Sequence, residues 1–349
     1  MARKPAETGR IKGESKAMNT NRRALLLGSA VLAAPALLGR SAAAATTLKL
    51  AHLAADSHPG HKAALQMKEA VERRSDGALK IDIFPSNQLG APPEQLEQTK
   101  LGVIDMNLPT QGALDKYEKA FATVMAPFIF RDPAHAFAVL DGAFAEWSAP
   151  LLEKQGLVQL ATWDYGFRNI TNSRRPILTP DDVKGLRIRT PPEVQLVACI
   201  EALGGRATQI AFTELPSALN QGVVDGQENP VGVIWHMKLH ETQPHLALTR
   251  HCYNSLVHVM NRGRWQKLDK KQQELLREES TNAAALMRRL VAEQETEELR
   301  KLEAAGVKIT RPELEPFRAA MGPAYDRVAA YAGRANMDRM LKIVQSARA

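Results

Sequence analysis

Gly185-Leu186-Arg187-Ile188-Arg189-Thr190-Pro191 and, further on, Gly222-Val223-Val224-Asp225-Gly226-Gln227-Glu228-Asn229-Pro230 carry the most information in this chain. The first reads as a short strand bearing two arginines. The second is a glycine-punctuated polar turn that ends in a side-chain amide and a proline. A strand-held arginine suits a carboxylate, because its planar guanidinium makes two parallel charge-assisted hydrogen bonds. Strict alternation puts Arg187 and Arg189 on one face, so periodicity alone does not choose between them. No catalytic nucleophile or base stands beside them, so the stretch reads as a binding site before it reads as an enzyme.

Outward from that stretch, strand and helix patterns alternate. Leu48, Leu50 and His52 follow a strand period, and Ala64, Met67, Ala70 and Val71 a helical one that Gly77 stops. Leu79, Ile81 and Ile83 alternate again as far as Pro85. A helix around Glu94 to Leu101 leads through Gly102 into an apolar strand, Val103 to Leu108. This rhythm predicts a largely parallel sheet with helices on both faces. Such sheets bind ligands at the carboxyl ends of their strands, where His52 and Gln111 of the Pro109–Gly112 loop fall.

A second rhythm begins with a strand at Leu157 to Trp163 and passes Gly166-Phe167-Arg168. Thr179-Pro180-Asp181-Asp182 starts a helical turn ahead of the strand Leu186 to Arg189. A helix follows at about Pro192 to Leu203. Thr213 can cap another, with Pro216 in its first turn and Gly222 at its end. Two rhythms predict two α/β lobes. The first is 46–165 with about 254–290, and the second is 166–253 with about 291–349. Asp269 with Gln272 forms a capping box for a helix that runs to Gly306. About 36 residues span roughly 54 Å, long enough to bridge both lobes unless the helix kinks.

The chain has 349 residues and a formal charge of +8. Residues 1–45 hold eight basic residues against two acidic ones, which leaves 38 against 36 for the rest. The basic excess therefore belongs to the N-terminal segment and gives no support to a nucleic-acid partner. That segment reads as an export signal. Arg22-Arg23 precedes an apolar run from Ala24 to Gly39, too short for the roughly 20 residues of a membrane span. Small residues up to Ala45 supply a cleavage context, and the paired arginines resemble the twin-arginine type. Cleavage near Ala45 would leave a soluble periplasmic protein. Met18 is a second possible start. Cys199 and Cys252 could pair in that compartment, but Cys199 lies in an apolar helical run and reads as a buried free thiol.

Phe84-Pro85-Ser86-Asn87-Gln88-Leu89-Gly90, Gly166-Phe167-Arg168-Asn169-Ile170-Thr171-Asn172, Asp182 through Arg189 and Phe212 through Pro230 resemble a known family. These are the periplasmic solute-binding proteins of tripartite ATP-independent periplasmic (TRAP) transporters, in the DctP-like group. The resemblance covers essentially the whole mature chain. It implies a two-lobed periplasmic-binding-protein (Venus-flytrap) fold that encloses a small organic acid at a hinge. It implies delivery of that carboxylate to a small and a large membrane subunit for uptake driven by an ion gradient. The family's signature arginine falls on Arg189, and Arg187 stands where the family often has lysine. A second ligand-contacting arginine falls on Arg168, the packing aromatic on Phe212 and the completing amide on Asn229.

Trp163, Tyr165 and Trp235 are further candidates to line the pocket, with His52 and Gln111 behind them. No cofactor and no metal are expected, and a monomer is. Gln227 and Glu228 could contribute to a cation site, but calcium wants several oxygen ligands and no acidic cluster is near. His240-Glu241-Thr242-Gln243-Pro244-His245 superficially resembles a zinc-protease motif, yet its histidines are five apart and Pro244 interrupts it. No nucleophile elbow, Cys-x-x-Cys pair or phosphate-binding loop is present. A ligand sensor, or an enzyme acting on carboxylates, are the alternatives to a transport role.

Overall fold

The computed structural model describes residues 45–347. The export signal expected in residues 1–45 lies outside them, apart from Ala45. Among the described residues, nine strands form one sheet. They are β1 (Thr46–His52), β2 (Leu79–Phe84), β3 (Met106–Leu108), β4 (Leu157–Asn172), β5 (Arg187–Thr190), β6 (Arg206–Gln209), β7 (Gly226–Pro230), β8 (His245–Asn261) and β9 (Lys308–Thr310). Their order across the sheet is β2-β1-β3-β8-β4-β7-β5-β6, with β9 beside β8.

The sheet is mixed. β1 is parallel to β2 and β3, and β5 is parallel to β6 and β7. Helical crossovers supply those connections, as the alternating pattern predicts. The two parallel groups are joined through β4 and β8, which run antiparallel to each other over nearly their full lengths. β8 takes β3 near one end, at Met106↔Met260, and β4 takes β7 near its own far end, at Asn169↔Asn229. The sheet is therefore less parallel than the sequence pattern suggested. The β4 strand also runs nine residues beyond the expected end at Trp163.

Three apolar clusters hold the sheet. One packs β1, β2 and the helix Pro59–Arg74 through Leu48, Leu50, Met67, Val71 and Ile81. A second gathers Phe121, Phe144, Leu157, Val257 and Met340, and a third Ile170, Ile188, Ile200 and Phe317. Each such side chain stabilises the fold by roughly 1.5–3 kcal/mol on burial.

The long helix is continuous from Lys270 to Ala304, about 52 Å at the α-helical rise. Its capping box forms as expected: the Gln272 amide N–H donates to Asp269 Oδ1 at 2.9 Å, and the Asp269 amide N–H to Gln272 Oε1 at 3.1 Å. Its first half reaches the β1–β3 group, where Arg74 pairs with Glu278 and Glu279. Its second half meets His236 through Glu298 and Arg250 through Glu295. Thr213 does not cap its helix. Phe212–Glu214 is a 3-10 turn, and the helix begins at Leu215 with Pro216 in its first turn. Among the described residues, no helix is long and apolar enough to cross a membrane.

Candidate functional site

A cavity of about 430 Å³ opens where the carboxyl ends of two strand groups face each other. Leu53 follows β1 and Thr110 follows β3. Pro191 follows β5, Ile210 follows β6, and Asn229 lies near the end of β7. Tyr165 and Arg168 reach it from the middle of β4. Strand ends expose backbone that the sheet no longer pairs, which is why α/β sheets place ligands there.

Arg189 is the most unusual group in this wall. Its side chain is 1% exposed. Nε donates to the Ile210 carbonyl at 2.8 Å, while Nη2 is buried with no partner. The Phe212 ring lies 5.7 Å from its guanidinium carbon. Among the described residues no carboxylate pairs with it, so burial pulls Arg189 down to about 10 from its ordinary value, although the nearby negative charge of Glu228 opposes the shift. It remains a cation at neutral pH. A buried cation without a counter-ion is costly, and an anion in the cavity would relieve that cost.

Arg187 shares the strand and the expected face but has a different environment. Asp225 takes its Nη2 at 2.9 Å and its Nε at 3.1 Å, and its two Nη groups donate to the carbonyls of Val223 and Gly222. Rather than standing free in solvent, it pins the Gly222–Gly226 turn. The same bonds, chiefly those from Arg187, hold the Asp225 carboxyl well below the usual carboxylate range.

Arg168 lies in the wall with its counter-ion already present. It is bonded to both carboxylate oxygens of Glu228, to the Glu228 carbonyl at 2.6 Å and to Asn254 Oδ1 at 3.0 Å. Burial opposes its charge, but Glu228 holds it above the ordinary arginine value. His251 Nε2 adds a contact of 3.2 Å to Glu228. Glu228, considered from sequence as a cation ligand, is thus engaged by an arginine and a histidine. Asn229 has its amide oriented by a bond from Nδ2 to Gln227 Oε1, and Gln227 in turn donates to Thr171 Oγ1 at 2.8 Å.

Of the nine residues singled out from sequence, Arg189, Arg168, Asn229, Phe212 and Tyr165 line this cavity. The other four lie elsewhere. Trp163 is fully buried in the core, edge-on to His258 with Nε1 on Ser280 Oγ, because β4 continues past it. Trp235 stacks on His240 at 5.0 Å. His52 is buried against His61 at 3.2 Å, and burial drives it down to about 3. Gln111 is buried and accepts from Ser255 Oγ at 2.7 Å; its neighbours Thr110 and Ala113 form the wall instead.

Sequence reasoning missed Glu193. This residue lines the cavity, is 4% exposed, and holds Thr110 Oγ1 at 2.8 Å through one carboxylate oxygen while the other has no partner. An acid just before an apolar helical run reads as a solvated N-terminal residue, and nothing in the local pattern marks it as buried. Among the described residues, one trio could ligate a metal: Cys199, His251 and Cys252, whose ligating atoms lie within 4.8 Å of one another. His251 already uses both ring nitrogens, on Thr249 and Glu228. Burial, together with neighbouring Cys199, pushes the Cys252 thiol well up, so it is protonated and a poor ligand. Both cysteines are buried and free.

The family model of DctP, bacterial extracellular solute-binding protein family 7, matches residues 50–331. The chain belongs to this family. It is similar to the 2,3-diketo-L-gulonate-binding periplasmic protein YiaO of Escherichia coli K12, 32% identical over 83% of this chain and 89% of that one. It is equally similar to the sialic acid-binding periplasmic protein SiaP of Vibrio cholerae, 32% identical over 83% and 92%. A TRAP periplasmic solute binding protein from Polaromonas sp. JS666, solved bound to D-erythronate, matches in fold with a TM-score of 0.83. Its identity is 32%, over 87% of this chain and 99% of that one. The two-lobed architecture expected from the sequence is therefore that of this solute-binding protein, and the mixed sheet with its two long shared strands is how the chain builds it.

Proposed function

We propose that this protein captures a small organic acid in the cavity and delivers it, in the periplasm, to the small and large membrane subunits of a TRAP transporter. The observation that carries this reading is Arg189, a buried guanidinium in the cavity wall with no carboxylate of its own. The ligand's carboxylate supplies the missing counter-ion. Asn229 donates to it, Phe212 and Tyr165 wall its carbon skeleton, and Arg168, kept rigid by Glu228, faces a second polar group. Lobe closure, 46–165 with about 254–290 against 166–253 with about 291–349, excludes water and strengthens the ion pair. The relatives that bind diketogulonate, sialic acid and erythronate support an acid as the ligand. Affinity in the micromolar range or tighter corresponds to about −8 kcal/mol or better.

A thermal-shift screen of organic acids on wild type and Arg189→Ala tests this. A ligand that binds only the native state raises Tm by mass action. The expected result is a set of carboxylate hits that vanish in the variant. A variant that keeps the affinity of wild type would remove the clamp from the account.

A further inference from the structure

Charges around the cavity do not balance. Arg168 is matched by Glu228, while Arg189 is not matched. Lys116 and Glu94, at the rim, are both exposed and opposite in sign. Glu193 is the remaining charged group, and it is built into the wall. Its Oε1 is fixed by Thr110, and its buried Oε2 is free. Gly112 leaves the room it needs: a Cβ there would collide with the Glu193 carboxylate, the Gln195 amide and Met125. Gln195 is itself fully buried with both amide atoms unpartnered. Among the described residues the cavity wall thus offers one free cation for one carboxylate, and in the same wall a carboxylate whose second oxygen still needs a hydrogen bond; the Gln195 amide packs on Gly112, outside the cavity lining.

We propose that Glu193 sets the specificity of the site: its free Oε2 hydrogen-bonds a hydroxyl of the ligand, so the protein takes a hydroxylated monocarboxylic acid and rejects a dicarboxylate of the same length. This inference rests on the carboxylate-binding reading above. A second carboxylate finds no second free cation, and it faces the Glu193 carboxyl. A hydroxyl serves that carboxyl in either protonation state, since it donates to the ionised form and accepts from the neutral one. Burial raises Glu193 to about 7, against the pull of Arg168 and the Thr110 hydrogen bond and with help from Asp115 and Glu228. Both forms are therefore present near neutral pH. An acid lacking the hydroxyl would leave the buried oxygen unpaired, which is the strongest basis a site has for rejecting an analogue.

Titration calorimetry at pH 7 tests this with two matched series: butyrate, D-erythronate and succinate, then hexanoate, gluconate and adipate. In wild type, the hydroxylated acid of at least one series is expected to bind about tenfold or more tighter than both companions. Glu193→Leu should erase its advantage over the unsubstituted acid. Glu193→Gln should keep that advantage and narrow the gap to the diacid. Circular dichroism checks that each variant folds, and Glu193→Gln, nearly isosteric, carries the test if Glu193→Leu does not fold. A diacid that matches the hydroxy acid in wild type overturns the proposal, as do rankings unchanged in the variants. If an acid binds and Arg189→Ala abolishes it while the Glu193 variants keep the wild-type ranking, only this inference falls. If none of the six acids binds wild type, this inference falls, and the carboxylate reading is decided by the thermal-shift screen with Arg189→Ala.

Discussion

Two arginines on one short strand show how little spacing says about environment. Arg187 and Arg189 sit two residues apart, yet Arg187 is tied to Asp225 and two carbonyls while Arg189 has one carbonyl bond and a free Nη2. The first stands at the start of β5, beside the Gly222–Gly226 turn, and the second near its carboxyl end, at the cavity. Periodicity could not separate them, and the resemblance to a family did. The fork of Arg189 matters as much as its charge. Arg189→Lys should weaken binding of a carboxylate hit by about 1.5–3 kcal/mol, the net worth of a hydrogen bond to a charged group. Calorimetry would show that loss as a Kd raised tenfold or more with the stoichiometry unchanged. The aromatic candidates were less legible. Trp163 and Tyr165 are two apart on one strand, but only Tyr165 reaches the cavity, while the indole of Trp163 turns to Ser280 on the long helix. Glu193 was hidden for the opposite reason, as an acid whose burial comes from Thr110 and Gly112 arriving from a distant part of the chain.

Elements with a strong local code were read correctly, and those defined by tertiary contact were not. The Asp269–Gln272 box starts the long helix where the residue types place it. Asp269→Ala should cost about 1 kcal/mol, read as a lower urea midpoint with an unchanged m-value. Phe212–Glu214 shows the limit of such codes, because Thr213 suits a cap but lies inside a 3-10 turn. β8 escaped prediction altogether. Thirteen of its 17 residues are buried, on both faces, and the other four are half-buried, so the alternation that betrays a half-exposed strand is missing. Several of its polar residues find partners inside: Tyr253 donates to Asp164 at 2.7 Å, Ser255 to Gln111, and His258 Nδ1 pairs with Ser280. Those partners lie far away in sequence.

For the whole molecule, buried ionisable groups pull stability in opposite directions with pH. Burial brings His52 and His258 down to about 3 from 6.5. They contribute stability that is full above pH 6.5 and is lost as pH falls toward 3. Glu193, raised to about 7, and Asp164, raised to about 6, both by burial, do the reverse. Their contribution is full below the unfolded carboxyl range and is lost as pH rises through about 6 to 7. Removing one acid should therefore expose the histidines. Urea unfolding at pH 4.5, 5.5 and 6.5 should show Glu193→Gln losing stability on acidification more steeply than wild type, by up to about 1.4 kcal/mol per pH unit. Equal slopes would mean that Glu193 titrates normally in the native state.

The two long strands bear on how the chain reaches this state. β3 pairs with β1 and then with β8 near its end, at Met106↔Met260, and the first half of β4 also pairs with the last residues of β8. A ribosome that has released the first 150 residues has released a sheet with an open edge. That edge waits for a segment about as far ahead in synthesis as the start lies behind. Folding in this chain is thus gated by length, and the open sides of β3 and β4 are not covered until β8 has emerged as far as Asn261. The long sequence separation of these pairings makes closure slow compared with a fold of local contacts, and it leaves unpaired strand edges exposed while synthesis continues.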